Sequence, residues 1–277
     1  TYSQLQEIRA YYALDEVDVD RYKINGELTQ VMVSARELDQ TNLPAVGWVN
    51  ERLQYTHGYS VVFSPANNVA SQGQPDFYVK GVPATTTVSE LEIEQPRIYF
   101  GESAESVEYV VVNSLQEEVD YPLSTEGQSV AYTNYSGDGG VGIGSFFRRL
   151  GFALRYGELN LLISNQLSDD SKLIMERNIV SRVKKAAPFL YTDNDPYLAL
   201  VEGDLFWIID MYTVSDKYPY AQPADTRRIN ENSGLPLNFN YLRNSVKAVV
   251  NAYDGTLNFY VVDETDPLIS TYEDIFP

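Results

Sequence analysis

The sequence predicts an α+β protein with mostly antiparallel sheet, β-hairpins and a helical central segment. Three observations carry this. Short apolar runs rich in Val, Ile, Tyr and Phe recur between Gly, Pro, Asn and Ser, as strands and turns require. Acidic or amide residues followed by glycine (Asn25-Gly26, Glu202-Gly203-Asp204, Asp254-Gly255) sit between such runs, where hairpin turns belong. From Ser145 to Ala187 the apolar spacing changes to that of helices.

Taken in order, Leu5, Ile8 and Tyr12 give the first thirteen residues an amphipathic helical spacing. Glu16 to Asp20 alternates strictly, so its three carboxylates share one face of an extended chain. Tyr22 to Ser34 reads as strand, turn and strand about Asn25-Gly26. Pro44 is placed to open a helix running to Leu53 that buries Val46, Val49 and Leu53. Strand-like runs follow at Val61–Phe63, Phe77–Val79, Arg97–Phe100 and Tyr109–Val112, the last apolar throughout and so expected to be covered on both faces. Ser145 is a helix N-cap ahead of Phe146, Leu150, Ala153 and Leu154. A second helix is expected from Ser168-Asp169-Asp170 to Ala187, acidic in its first turn, basic in its last and stopped by Pro188. Hairpins are expected at Tyr197–Met211 and Val246–Val262, separated by a long surface loop from Tyr218 to Pro236. No linker divides residues 1–277, which read as one domain.

Composition excludes more than it assigns. A chain of 277 residues buries on the order of 75% of its unfolded surface, so its core is large. A net charge of -19 repels nucleic acid and favours cations or basic partners. With no cysteine, thiol nucleophiles, disulfides and thiolate metal sites are excluded. The single histidine, His57, removes any zinc site built on several histidines. It would have to serve any Ser-His-Asp triad, and no GxSxG motif accompanies it. Lying between tyrosines, it reads as a structural residue before a general base. No run reaches the ~20 apolar residues of a membrane span, and the chain as given reads as soluble.

The leading site candidate lies where five glycines fall within eight residues, Gly137 to Gly144, ahead of Arg148 and Arg149. Gly137, Gly139, Gly140 and Gly142 ahead of a helix N-terminus, with those arginines, suit an anion. The bland alternative is a tight loop whose glycines allow close packing. The Gly137-x-Gly139-x-x-Gly142 spacing formally fits a dinucleotide fingerprint, but no second parallel strand carries the required acid. The surrounding segment, residues 145–187, holds eight basic and four acidic residues, about +4, so the remainder carries about -23. Asp18, Asp20, Asp193 and Asp195 are the candidate metal ligands. No cofactor is dictated, and calcium is the ion such oxygens would take, although no EF-hand spacing is present.

Several segments together resemble a known family. Asp18–Tyr22, Gln30–Leu38, Tyr55–Tyr59, Gln95–Glu102, the block from Gly139 through Arg155 to Leu162, Ala187–Leu190, Asp195–Tyr197, Tyr218–Tyr220 and Arg243–Lys247 are similar to the uncharacterised bacterial membrane protein family UPF0182. The resemblance spans nearly the whole chain. It implies several N-terminal transmembrane helices, absent from this chain, followed by a large extracytoplasmic portion that the chain would represent. It implies partners in that transmembrane region and in an envelope ligand or protein, and it supplies no catalytic residues. The function expected is therefore binding rather than catalysis. The alternatives are a carboxylate-based, calcium-assisted envelope hydrolase or transferase, and a structural module packing on its own membrane helices.

Overall fold

The computed structural model describes residues 2–70, 73–103, 106–123 and 129–276. The fold is α+β, with antiparallel sheets throughout. Two five-stranded sheets form its frame. In the first, strands Asp18–Ile24, Glu27–Ala35, Val61–Pro65, Val79–Lys80 and Thr85–Thr86 lie in that order. In the second, Tyr191–Thr192 and Tyr197–Val201 pair in succession along one edge of Asp204–Ser215, whose other edge pairs Tyr241–Asn251 and then Leu257–Val261. A three-stranded sheet places Lys172–Met175 between Tyr109–Val112 and Val141–Gly142.

Turn chemistry fixes the hairpins. Asn25 and Gly26 both take left-handed backbone, at φ 50° and 85°, and close a two-residue turn with Ile24 opposite Glu27. Glu202 and Gly203 do the same, at φ 51° and 89°, with Val201 opposite Asp204. The Asp254-Gly255 turn is longer than the dipeptide suggests. Residues 252–255 form the loop, and Asn251 Oδ1 accepts the N–H groups of Tyr253 and Asp254 at 2.8 and 3.2 Å. An Asx arrangement at Asn251 therefore sets the loop length.

The Asp204–Ser215 strand buries every second residue, from Leu205 through Trp207, Ile209 and Met211 to Thr213. Fully buried Trp207 donates its indole N–H to the Phe100 carbonyl at 2.9 Å, tying the second sheet to the segment that enters the core at Arg97–Phe100. Tyr109–Val112 is buried at every position, as an all-apolar strand between two layers should be.

Three elements differ from the sequence expectation. The first helix, α1, covers only Tyr2–Gln6, because Ile8 turns left-handed at φ 67° and Tyr12-Ala13 pairs with Glu37-Leu38 as a strand. Pro44 opens no helix. Gly47 interrupts the segment, a single π-type turn occupies Asn50–Gln54, and Leu53 is buried while Val46 is 88% exposed. The expected helix from Ser168 to Ala187 is divided. Lys172–Met175 is a central strand, Glu176 reverses direction at φ 53°, and only Ile179–Ala186 is helical. Its N-cap is Asn178, whose side chain accepts the Ser181 N–H at 3.0 Å. The acids at Asp169-Asp170 imitate a helix start that the β-pairing of Leu173 and Ile174 overrides. Helix α2 (Phe146–Tyr156) forms as expected, capped by Ser145 and ended by left-handed Gly157. It is followed by the single turn α3 (Asn160–Ile163), the Ile179–Ala186 helix α4, and a C-terminal α5 (Pro267–Ile275).

Candidate functional site

The glycine loop and its arginines do meet, through carbonyl oxygens. Arg148 Nη1 donates to the Gly142 carbonyl at 3.0 Å. Arg149 donates to the Ile143 and Ser168 carbonyls at 3.0 and 3.1 Å, and Lys172 Nζ to the Gly137 carbonyl at 3.1 Å. These cations stabilise the loop's negative dipole ends. The glycines permit close approach. A Cβ on Gly137 would enter the Tyr135 ring, one on Gly139 the Asp254 carbonyl, and one on Gly144 would lie 2.6 Å from the Asp169 carbonyl. Gly140 takes φ 90°.

The four aspartates are not gathered into one ligand set. Asp18 Oδ2 accepts the Leu198 N–H at 3.0 Å, and Asp20 Oδ1 the N–H of its neighbour Arg21. Asp193 accepts from the Asp195 N–H at 3.2 Å and from the Tyr212 hydroxyl at 3.2 Å. Asp18 and Asp195 do lie close enough to interact. Burial, then the charges of Asp195, Glu16 and Asp20, push the Asp18 carboxyl up to about 6. Among the described residues no group of three or more acids or histidines is arranged to hold a metal.

A different set of charged side chains converges where the Gln30–Leu38, Tyr55–Tyr59 and Gln95–Glu102 segments meet. The buried Glu37 carboxylate lies in the turn at Gly101, accepting the N–H groups of Glu102 at 3.1 Å and Ser103 at 3.2 Å. Only a glycine at 101 admits it, since a Cβ there would coincide with the carboxylate. Burial raises the Glu37 carboxyl to about 7 against the pull of those N–H groups. Burial and the neighbouring Glu37 charge raise Glu102 to about 9.

Beside this turn, Arg177 is buried, donating Nε to the Tyr99 carbonyl at 2.9 Å and Nη2 to the Thr56 carbonyl at 2.7 Å. Its Nη1 has no hydrogen-bond partner among the described residues. Burial lowers its guanidinium to about 10. Glu118 completes the layer, accepting from the Thr56 hydroxyl at 2.5 Å, the Tyr99 hydroxyl at 2.7 Å and the Tyr135 N–H at 3.1 Å. Asp120 holds Arg97 in a bidentate pair at 2.8 Å for both bonds. His57 is packed into the same layer, its ring 4.8 Å from that of Tyr99 and its Nδ1 2.9 Å from the Gly58 carbonyl. Burial lowers it to about 4, so it is neutral at pH 7 and enclosed, as a structural histidine is.

Arg177 also borders a polar cleft of about 280 Å³, with its guanidinium buried. Asn178 and Ser181 bring the N-terminus of α4 to the cleft, Arg155 reaches it from α2 and Lys185 from the far end of α4. Glu176, on its left-handed residue, accepts from Arg155 at 2.8 Å and also from Lys185. Arg155 and Lys185 thus meet at one hollow beside Asn178 and Ser181, opposed by Glu176 and Glu108. Two cations at one hollow are an arrangement that attracts negative charge.

The sequence reading of the glycine site, with Arg148 and Arg149, did not include Arg177 or Asn178. The available signal was the Met175-Glu176-Arg177-Asn178 run, two opposite charges beside a capping residue. It was hidden inside what resembled continuous helix.

The fold and these polar sites define an α+β protein with a buried charged layer and a polar cleft. The chain belongs to the uncharacterised protein family UPF0182, which it matches along residues 1–277. It is 47% identical over 279 residues to a UPF0182 protein of Pelotomaculum thermopropionicum, covering 100% of this chain and 29% of the relative. A UPF0182 protein of Trichodesmium erythraeum is 45% identical, over 100% of this chain and 31% of the relative. One of Methanospirillum hungatei is 44% identical, over 100% and 30%. The chain therefore spans less than a third of the length of these relatives. No solved structure matches it.

Proposed function

We propose that this chain is the extracytoplasmic, non-enzymatic portion of a larger membrane protein, and that it binds an anionic ligand or envelope component in the Arg155–Arg177–Lys185 cleft. The exposed cations Arg155 and Lys185 at one polar cleft, in a chain of net charge -19, carry the reading. Arg155 and Lys185 are held ready by Glu176, whose carboxylate stands where a phosphate, sulfate or ligand carboxylate would bind. A left-handed glutamate is an uncommon backbone conformation, of the kind that accumulates at binding sites. The glycine loop with Arg148 and Arg149 lies at the other end of α2 from Arg155 and belongs to the proposal only as its scaffold.

A second reading, a carboxylate-based hydrolase or transferase, draws on Glu37 and Glu102, two neighbouring acids both raised toward neutrality. Against it, Glu37 is 5% exposed and occupied by backbone N–H groups, so a substrate has no path to it.

The test is the melting temperature of the chain against phosphate, sulfate and teichoic-acid fragments. A saturable rise that disappears in Arg155→Ala with Lys185→Ala supports the cleft. A flat response, or a rise that survives both substitutions, removes it.

A further inference from the structure

Helix α2 carries large apolar side chains on its inner and on its outer side. Its inner side packs Ala153, Phe152 and Tyr156 against Tyr109, Val111 and Leu173. Its outer side presents Phe147, 81% exposed, and Leu154, 76% exposed, with Phe146 beside them. The apolar surface continues through Leu159 and Ile163 of the following turn, 69% and 72% exposed. Val46 and Ile163 line one shallow hollow, so the surface extends across the 46–50 segment. Large apolar side chains exposed together mark a surface that meets a partner or a lipid.

Its charge narrows the choice. The eleven residues of α2 include Arg148, Arg149 and Arg155 and no acid, in a chain of 39 acidic and 20 basic residues. Arg148 is exposed directly beside Phe147, with Nη1 on the Gly142 carbonyl. The acids close to this face are few. Glu158 is engaged by the N–H and side-chain amide of Asn160, at 3.1 and 2.8 Å, Glu176 is paired with Arg155 at 2.8 Å, and Asp169 lies at the edge next to Gly144. Exposed aromatic and aliphatic side chains flanked by arginine match the interface of an anionic bilayer. The strongly acidic remainder would be repelled by that surface, which orients the molecule with α2 down.

We propose that the α2–α3 face docks on an anionic lipid bilayer, with Phe147, Leu154, Leu159 and Ile163 entering the boundary of the acyl region and Arg148 at the headgroup phosphates. None of these side chains lines the Arg177 cleft, so this docking stands or falls separately from the ligand proposed there.

Flotation of the 277-residue chain with vesicles tests it, using phosphatidylcholine alone and phosphatidylcholine mixed with phosphatidylglycerol. The chain should float with the anionic vesicles, less so as salt is raised. Phe147→Ser, Leu154→Ser and Ile163→Ser together should lower partitioning by roughly tenfold or more. Circular dichroism reports whether the triple variant keeps its fold. If it does not, Phe147→Ser alone and Arg148→Gln alone must each still weaken flotation. Absence of flotation with either vesicle overturns the proposal, as does equal flotation with both. A concentration-dependent dimer in sedimentation velocity that Phe147→Ser dissolves would also overturn it, because a second copy would then cover the face.

Discussion

Asp18 Oδ2 accepts the backbone N–H of Leu198 at 3.0 Å, joining the first strand of one large sheet to the outer edge of the other. Tyr22, on the same face of its strand, accepts the Leu200 N–H at 2.8 Å. Leu198 and Leu200 are alternate residues of an edge strand, so their N–H groups point away from the sheet and would otherwise invite another strand. Asp18 also accounts for an inverted pattern: Val19 is 57% exposed while the acids of its strand turn inward.

Substitutions at Asp18 should separate its hydrogen bond from its charge. Asp18→Ala leaves an edge N–H without its acceptor and should cost about 1 kcal/mol, discounted because the site is half exposed. Asp18→Asn keeps an acceptor oxygen and removes a charge that Asp195, Glu16 and Asp20 oppose. It should equal or exceed the natural chain in stability at pH 8. Urea denaturation of the two variants checks the order, and equal losses would show that the charge itself is needed.

Glu37 and Glu102 give stability a definite pH dependence. Both carboxyls are raised by folding, so their protonated forms are favoured in the native state. Their stabilising contribution is complete below the ordinary glutamate value and is lost as pH rises through about 7 for Glu37 and about 9 for Glu102. The chain should therefore melt at a higher temperature at pH 5 than at pH 8. For buried Glu37 alone the difference amounts to roughly 2–3 kcal/mol. Glu37→Gln should flatten the lower part of this slope, and a slope unchanged in that variant would place its origin elsewhere.

The frame of the molecule was legible because it depends on local signals. Asn25-Gly26 and Glu202-Gly203 dictate left-handed turns, and Ser145 and Gly157 bound α2 by capping chemistry alone. The Lys172–Met175 strand was not legible, since its conformation comes from pairing with Val110 and Val111, some sixty residues earlier. The charged layer was hidden for the same reason. Glu37, Thr56, Tyr99, Glu118 and Arg177 are dispersed along the chain, and nothing local marks any of them as buried. The glycine run was visible, but composition alone does not separate a backbone open to a ligand from one packed against Tyr135 and Asp254.

Two glycines of that region should respond in opposite directions to the same substitution. In Gly139→Ala the new Cβ meets the Asp254 carbonyl, so the loop must shift, with an expected cost of about 1–3 kcal/mol. Gly151 lies inside α2 with nothing within 4 Å of the Cβ position. Gly151→Ala should stabilise by about 0.5–1 kcal/mol through helix propensity. Melting temperatures of the two single variants decide the matter, and a neutral Gly139→Ala would favour an open loop.

Asp266 joins α5 to the second sheet and should be the most sensitive single acid in the molecule. It is fully buried and accepts from the Tyr241 and Ser245 hydroxyls, each at 2.5 Å, and from the Thr213 hydroxyl. It also caps α5 through the Leu268 N–H at 2.9 Å. Burial works to raise its carboxyl, but these hydrogen bonds prevail and hold it below the ordinary aspartate value. A depressed carboxyl stabilises the native state above its unfolded value and loses that contribution as pH falls through the folded one. Asp266 thus opposes Glu37 at the acid limit. Asp266→Ala leaves three hydroxyls and a helix N-terminus without their acceptor and should cost about 3 kcal/mol or more. Asp266→Asn retains one acceptor oxygen but presents an amide to hydroxyls that donate, so it should recover only part of the loss. Denaturant unfolding of both variants at pH 7 measures this. A cost for Asp266→Ala under about 1 kcal/mol would mean that the hydroxyls re-pair among themselves and that α5 docks without its cap.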